Sequence, residues 1–357
     1  MLSKNSLPVG KLPPELLKSI LERAPLEDPQ VLLGPGVGLD CAVIDLGERL
    51  LVIKSDPITF ASDKIGWYAV QVNANDIATT GATARWFLVT LLLPEGATDI
   101  GLVDEIMDQV YDACSALDIA VIGGHTEITY NLDRPILVGT MIGEVAPELL
   151  ITPQGAQPGD RLLLTKFVPI EATAILAREF SDRMLPHLTQ EELQQAQDYL
   201  EHPGISVVRD AQIATCAGRV HAMHDPTEGG LSAALWELAE ASQTSLYIYP
   251  DTVPVSALWE RVNQAFAPQH LDPLAAIASG ALLAAVHPDD AGSVCAALEK
   301  GHIPCADIGA VEQSSPDPAA REPEICVWQQ IDKERKQLPR PERDEIARLF
   351  EENIIRN

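Results

Sequence analysis

The stretch Gln71-Val-Asn-Ala-Asn-Asp-Ile-Ala-Thr-Thr-Gly81 (QVNANDIATTG) places polar side chains inside an otherwise apolar segment. Between residues 65 and 78 the apolar side chains recur at the spacing of an amphipathic helix, and Asp76 falls on or beside the buried stripe. A buried carboxylate must be paired, hydrogen-bonded or bound to metal, because burying an isolated charge is costly. The sequence therefore predicts a helix that carries a partnered Asp76 in the protein interior.

The segments on either side of this helix predict a mixed domain. Upstream, strand-like stretches at residues 42–46 and 50–54 are separated by the sequence GER, which is typical of a tight hairpin turn. Including the segments downstream, the predicted order is strand, strand, helix, strand, helix, strand, strand. This order indicates an α+β fold with a largely antiparallel or mixed sheet.

The chain is long enough to form two domains. It has 357 residues, and a stretch rich in proline and glycine, TPQGAQPGDR, begins at Thr152. A second set of predicted helices and strands follows this linker. The sequence thus predicts an N-terminal domain over residues 1–155, a C-terminal α+β domain over residues 156–330 and a charged terminal helix over residues 331–357.

The charge and the cysteine pattern limit the possible partners of the protein and its cellular compartment. The 52 acidic and 25 basic residues give a formal charge of −27. Such a surface repels nucleic acid and anionic membranes, so neither is an expected partner. Six scattered cysteines without a CxxC pair indicate reduced thiols, and no apolar run reaches about 18 residues. We therefore expect a cytoplasmic protein.

Three aspartates lie beside small residues, at the ends of predicted strands or on the predicted helix. They are Asp40, Asp56 and Asp76. Asp40 follows a loop with Gly34, Gly36 and Gly38, and glycines let a backbone approach a phosphate closely. Carboxylate oxygens suit Mg²⁺, and bound magnesium reconciles an acidic surface with an anionic nucleotide. Together these residues predict a magnesium–nucleotide site.

Two further clusters are candidates for acceptor chemistry. The sequence GGHTEIT places His125 and Glu127 directly after a short predicted strand, and DPTEGG places Asp225 just before a predicted helix. Histidine has an ordinary pKa near neutrality, and the start of a helix attracts anions. We predict that His125, Glu127 or Asp225 orients or deprotonates the acceptor.

Each of these patterns also has a plain structural interpretation. The glycines alone are typical of a flexible loop, and Asp56 before a proline is a common turn. A lone histidine such as His125 is more often an ordinary loop residue than a functional one, and Asp225 is consistent with a helix cap. No Walker A sequence is present, which excludes a P-loop enzyme.

The sequences ANDIATTGA, GGHTEIT and DPTEGGL, in this order, resemble the AIR synthase-related (PurM-like) proteins, and DPTEGG with GLDCAVIDL resembles their HypE branch in particular. The resemblance covers about residues 10–330. It implies a two-domain fold that forms a homodimer, with the N-terminal strands in a shared barrel beside bound ATP. It also implies that Asp40, Asp56 and Asp76 hold Mg²⁺ on the ATP phosphates. The further predicted nucleotide-binding residues are Asn75, Gly124 and Thr126.

The chain departs from these relatives in three places. His125 stands where kinase-type and HypE-type relatives usually have an acidic residue, and residues 167–172 replace a glycine-rich turn. The chain ends in EENIIRN, without the terminal cysteine that HypE proteins modify. Near the glycine-rich segment the sequence offers only Cys41 as a counterpart to the reactive residue of a selenophosphate synthetase, so that activity is not expected.

The combined prediction is an ATP-dependent, Mg²⁺-requiring enzyme. It would activate a carbonyl, amide or phosphate oxygen of a small-molecule acceptor by phosphoryl transfer, which depends mainly on positioning and charge neutralisation. One alternative is a non-catalytic nucleotide-binding scaffold or maturation partner. Another is a metal-dependent phosphohydrolase that uses the same aspartates without an acceptor. The sequence does not identify the acceptor.

Overall fold

A computed structural model describes residues 12, 14–25, 28–36, 38–58, 63–314 and 325–356. The described residues fall into two units, an N-terminal unit from Leu26–Pro35 and Leu39–Ile151 and a C-terminal unit from Met1–Pro25, Gly36–Gly38 and Thr152–Asn357. A six-stranded sheet lies in the first unit and a seven-stranded sheet in the second. Both sheets are mixed and both units contain helices, so the α+β fold is confirmed.

Helices and strands alternate in the N-terminal unit as its hydrophobic patterns predict. After α1 (Pro14–Leu21), which belongs to the other unit, come β1 (Val31–Leu33), β2 (Ala42–Asp45), β3 (Leu50–Ile58), α2 (Ile65–Thr79), β4 (Thr83–Pro94), α3 (Ile100–Ala116), β5 (Ala120–Thr129) and β6 (Ile136–Val145). The strand order is β1-β2-β3-β6-β4-β5. Strands β4 and β5 are parallel, and the other neighbours are antiparallel.

Helix α2 packs closely on this sheet at two glycines of β6. A Cβ atom at Gly139 would lie 2.6 Å from the side-chain amide nitrogen of Asn73, and one at Gly143 would collide with Ile77. The missing side chains on β6 therefore let the helix approach the strands, and most residues of α2 are buried. This close approach brings the polar side chains of α2 to the strand that carries Asp56.

Strand β5 differs from the sequence prediction. The prediction ended a short strand at Gly124 and placed the following residues in a loop, but β5 continues to Thr129. Gly124 has a φ of +148°, and a Cβ atom there would collide with the carbonyl oxygen of Val89, so its lack of a side chain allows the strand to continue. Strand β5 is an edge of the sheet, and within the described residues the sheet stays open rather than closing into a barrel.

The C-terminal unit builds its core between the seven-stranded sheet and helices. Its elements are β7 (Arg161–Thr165), α4 (Ile170–Glu179), α5 (Ser181–Met184), α6 (Gln190–Gln197), α7 (Val208–Ala217), β8 (Val220–His224), α8 (Gly230–Ser242), β9 (Ser245–Ile248), α9 (Trp259–Gln264), β10 (Leu283–Val286), α10 (Ala291–Lys300), β11 (Cys305–Glu312), β12 (Val327–Ile331), β13 (Glu334–Gln337) and α11 (Glu345–Arg356). The strand order is β13-β12-β9-β11-β7-β10-β8. Leu162 and Leu164 of β7 pack in one core with Leu231 and Leu235 of α8.

Two local expectations in this unit are corrected. The terminal segment 331–357 is not one helix, because its first part forms strand β13 against β12 and α11 begins only at Glu345. Prolines at 339 and 341 separate the two elements and are unsuited to a helix interior. Cys295 and Cys305 form a disulfide instead of free thiols, because α10 and β11 bring their Cα atoms within 5.3 Å. Among the described residues no helix is long and apolar enough to cross a membrane.

Candidate functional site

Three segments of the N-terminal unit bring the predicted aspartates together around Lys54. Its Nζ atom lies 3.0 Å from Oδ2 of Asp76, 3.2 Å from Oδ2 of Asp56 and 3.7 Å from Oδ1 of Asp40. Lys54 and Asp56 are two positions apart on β3, so their side chains share one face of the strand. The sequence pattern did not single out Lys54, because the predicted strand ended at residue 54 and left Asp56 outside it, whereas β3 continues to Ile58.

The electrostatics of this cluster follow from three carboxylates facing one ammonium group. The side chain of Lys54 is 11% exposed and that of Asp76 is 4% exposed. Burial by itself lowers the pKa of Lys54, but attraction from Asp76, Asp40 and Asp56 outweighs it and raises this pKa well above its ordinary value. Lys54 therefore stays charged at neutral pH, and the cluster retains an excess of negative charge.

Helix α2 positions the cluster through hydrogen bonds to the backbone. Oδ1 of Asn73 accepts the N–H of Asp56 at 3.1 Å, while its side-chain amide donates to the carbonyl oxygen of Ala69 at 2.8 Å. The thiol of Cys41, next to Asp40, donates to the carbonyl oxygen of Asp76 at 3.4 Å. Asn73 thus ties the strand bearing Asp56 to α2. The predicted nucleotide ligand Asn75 is fully buried on the same helix.

His125 and Glu127 lie on β5 and project from the other face of the sheet. Val89 pairs with Gly124 of β5 and with Gly139 of β6, and Gly139 contacts α2, so these three positions face α2. Because side chains alternate along a strand, His125 and Glu127 point away from α2 and from the three aspartates of the same chain. Nε2 of His125 lies 3.3 Å from Oε2 of Glu127, and both side chains are more than half exposed.

The remaining predicted nucleotide-binding residues are dispersed. Gly124 and Thr126 are exposed on the face of β5 toward α2. Gly34 belongs to the N-terminal unit, whereas Gly36 and Gly38 belong to the C-terminal unit, and residue 37 lies outside the described part of the chain. Gly38 has a φ of +74°, which favours glycine. The glycine-rich loop therefore does not belong wholly to either unit.

The DPTEGG motif of the C-terminal unit forms a tight turn before α8. Gly230 has a φ of +62°, and a Cβ atom there would lie 2.6 Å from the carbonyl oxygens of Leu274 and Ala276. The N–H of Gly229 donates to Oδ2 of Asp344 at 2.8 Å. The two glycines thus serve the geometry of the turn, and the segment before α11 holds it in place. Asp225, at the start of this motif, is buried.

Further buried acids, which sequence analysis did not identify, lie in the C-terminal unit. Burial raises the pKa of Glu171 to about 7, a hydrogen bond from Ser279 opposes this rise, and the charges of Asp344 and Asp225 add to it. Burial likewise raises the pKa of Asp344 to about 6, although the N–H of Gly229 partly offsets the effect. The sequence PIEATAIL already showed Glu171 among apolar residues, which was the signal for a buried acid.

The aspartate cluster has the chemistry of a magnesium site. Its donors are carboxylate oxygens from three residues, and its charge is negative overall, which suits a hard divalent cation. The oxygens stand 3.0 to 3.7 Å from Nζ of Lys54, which is the spacing of ammonium contacts. Mg²⁺ binds oxygen at about 2.0–2.1 Å. The donor type and the net negative charge, rather than these distances, therefore suit a divalent cation beside the lysine.

Comparison with known proteins identifies the family. Residues 38–145 match the family model of the AIR synthase related protein, N-terminal domain, and residues 157–317 match that of its C-terminal domain. The chain belongs to the AIR synthase-related proteins. The family predicted from the sequence motifs is thereby confirmed.

Similar AIR synthase-related proteins include hydrogenase maturation proteins. A putative hydrogenase expression/formation protein of Methanocaldococcus jannaschii is 29% identical over 292 residues, covering 79% of this chain and 82% of that protein. Carbamoyl dehydratase HypE of Bradyrhizobium diazoefficiens is 28% identical, covering 76% and 77% of the two chains. The structure of HypE in complex with ATP has a TM-score of 0.67 at 22% identity and covers 93% of this chain and 91% of that one. The prediction of an enzyme of this family is confirmed.

Proposed function

We propose that the chain is an ATP-dependent, Mg²⁺-requiring enzyme that transfers a phosphoryl group to a carbonyl, amide or phosphate oxygen of a small acceptor. The observation that carries this proposal is the convergence of Asp40, Asp56 and Asp76 in the N-terminal unit. The similarity to a protein named carbamoyl dehydratase and to a HypE structure with ATP supports it.

The residues of the cluster would act mainly by positioning and charge neutralisation. Asp40, Asp56 and Asp76 would hold Mg²⁺, which when bound offsets the negative charge of the ATP phosphates. Asn73 would keep Asp56 in place through the N–H that it accepts from that residue. In phosphoryl transfer little covalent work is asked of the protein, so a fixed arrangement of charges is the main requirement.

The acceptor would be oriented by His125, Glu127 or Asp225. The protein would act in the cytoplasm as a homodimer.

Strand β5 supports the dimer because it is an edge strand with an exposed apolar surface, and such edges readily pair with another chain. Ile122, Ile128 and Tyr130 are 54%, 58% and 76% exposed on or next to this strand. A second copy paired along this edge would lie beside the strand that carries His125 and Glu127.

A nucleotide-binding scaffold is the second candidate. Residues 167–169 and the first turn of α4 contain no glycine, so this backbone would approach a ligand less closely than a glycine-rich turn does. This difference falls in the C-terminal unit and leaves the aspartate cluster intact. A protein that binds ATP without turning it over would fit this combination.

Calorimetric titration of ATP at fixed Mg²⁺ tests the proposal, with Asp76→Asn beside the wild type. We expect Mg²⁺-dependent binding that weakens more than about 100-fold in the variant, since loss of a ligand exceeds the effect of losing an outer-shell partner. Asp112→Asn on the exposed side of α3 is the matched control and should bind as wild type does. Absence of binding by the wild type contradicts the proposal. Binding without turnover favours the scaffold, and phosphate release without acceptor favours a hydrolase.

A further inference from the structure

Lys54 occupies the point at which the three carboxylates converge. We propose that its ammonium group fills one cation position among Asp40, Asp56 and Asp76, so that the cluster binds one divalent ion fewer than these carboxylates would hold without it. This inference deepens the proposed function and rests on it, because the remaining ion would be the Mg²⁺ that accompanies ATP.

The distances place a single atom within reach of all three acids. Nζ of Lys54 lies 3.0, 3.2 and 3.7 Å from oxygens of Asp76, Asp56 and Asp40, which come from a helix, a strand and the segment before β2. All three distances fall within the about 4 Å of an ion pair, so the ammonium group occupies the space among the three carboxylates.

The fold holds the lysine in this position. Lys54 lies within β3, opposite Met141 of β6, and Met141 is fully buried. The side chain of Lys54 is only 11% exposed, so its methylene stem packs in the interior and its charged end remains beside the acids. Leaving the cluster would require the stem to leave this packed environment.

Charge balance explains how the lysine limits the number of ions. Three carboxylates carry three negative charges, and Lys54 reduces their sum to two, which a single divalent cation neutralises. A second divalent ion next to the ammonium group would meet strong repulsion at these separations. Without Lys54 the three carboxylates keep an excess charge and an open central position for a further cation.

The test is to add Mn²⁺ to protein that has been stripped of metal and to count the bound ions by electron paramagnetic resonance. Lys54→Met removes the charge and retains an unbranched side chain, while Lys18→Met on exposed α1 makes the same change in net charge as a control. We expect Lys54→Met to bind one more Mn²⁺ per chain than the wild type and Lys18→Met, with about tenfold tighter affinity for the cluster. Adding Asp76→Asn to Lys54→Met should abolish the extra ion. Equal counts in Lys54→Met and wild type would overturn the inference.

Folding and nucleotide binding are followed separately. If Lys54→Met does not fold without metal, Lys54→Gln provides the same comparison, and Mn²⁺-dependent recovery of the native circular dichroism spectrum in either variant supports the inference. Failure of both variants to fold even with Mn²⁺ overturns it. An extra Mn²⁺ without ATP binding by the wild type would reject the proposed function and retain the role of Lys54. ATP binding by the wild type, with equal Mn²⁺ counts in the wild type and Lys54→Met, would retain the proposed function and reject the role of Lys54.

Discussion

Lys54 in the N-terminal unit and Lys166 in the C-terminal unit are both buried lysines, but their neighbours differ. Lys54 faces three aspartates. Nζ of Lys166 faces one, Asp210, at 3.1 Å, and donates to the carbonyl oxygens of Ser206 at 2.7 Å and Gly280 at 2.8 Å. The first ammonium group lies in an excess of negative charge, and the second lies in a balanced pair completed by backbone acceptors.

This difference separates a ligand site from a structural one. Burial lowers the pKa of Lys166, and the attraction of Asp210 offsets only part of the effect. Around Lys54 three carboxylates reverse the direction and raise its pKa. Glu171 is a third case, in which burial raises a carboxyl pKa to about 7. The ratio of buried acids to buried ammonium groups therefore indicates which cluster retains charge for a cation.

Replacing Lys166 should have the largest effect on stability. Lys166→Met leaves Asp210 buried without its cation, and breaking such a pair typically costs about 3–5 kcal/mol of the free energy of unfolding. Urea denaturation measures this loss, and Mn²⁺ should not restore it, because a single carboxylate remains. The exposed control Lys18→Met should stay within about 0.5 kcal/mol of wild type. A loss below about 1 kcal/mol for Lys166→Met would contradict the structural role.

Glu171→Gln should remove a pH dependence of about 3 kcal/mol. The rise of the Glu171 pKa from 4.5 to about 7 means that the folded state holds this proton more tightly than the unfolded state does. The free energy of unfolding should therefore fall by about 3 kcal/mol as pH increases from about 4.5 to about 7. Denaturation across this range should show a shallower fall in Glu171→Gln. Identical slopes in wild type and variant would show that Glu171 does not titrate in this way.

Alkaline titration should distinguish the two lysines. Because the Lys166 pKa is lowered, its proton is held more tightly in the unfolded state, and stability should rise between the lowered value and 10.5. The contribution of Lys54, whose pKa is raised, is constant below 10.5 and is lost only above it. Unfolding measured from pH 8 to 10.5 should thus show a slope of up to about 1.4 kcal/mol per pH unit that Lys166→Met removes. If Lys54→Met rather than Lys166→Met removed this slope, Lys54 would be the lysine with the lowered pKa.

The smallest effect is expected at an exposed ion pair. Arg161 donates two hydrogen bonds to Asp307, at 2.8 and 2.7 Å, but the two side chains are 29% and 40% exposed. Water and salt weaken such a pair, so Arg161→Ala should cost only about 0.2–1 kcal/mol. Thermal unfolding at low and high salt measures this cost, which should shrink as salt increases. A loss of more than about 2 kcal/mol in the free energy of unfolding that does not change with salt would show that this exposed pair stabilises the fold as strongly as a buried pair.

The candidate site was only partly predictable because its members are distant in sequence. The periodicity around Asp76 indicated a buried acid that needs a partner, and Lys54 on β3 is that partner. The partner was not identifiable from local pattern, since it depends on how closely α2 packs on the sheet at Gly139. His125 shows the same limit, because a strand in place of a loop fixes which face its side chain occupies.

The sequence by itself determined the family, the α+β character and most elements near the site, because these follow from local periodicity, turn residues and short motifs. It also determined that Asp40, Asp56 and Asp76 carry hard oxygen donors. The tertiary structure alone decided that these acids share one ammonium group and that His125 lies on the opposite face of the sheet. Those outcomes depend on strand register and helix packing, which bring together residues far apart in the chain.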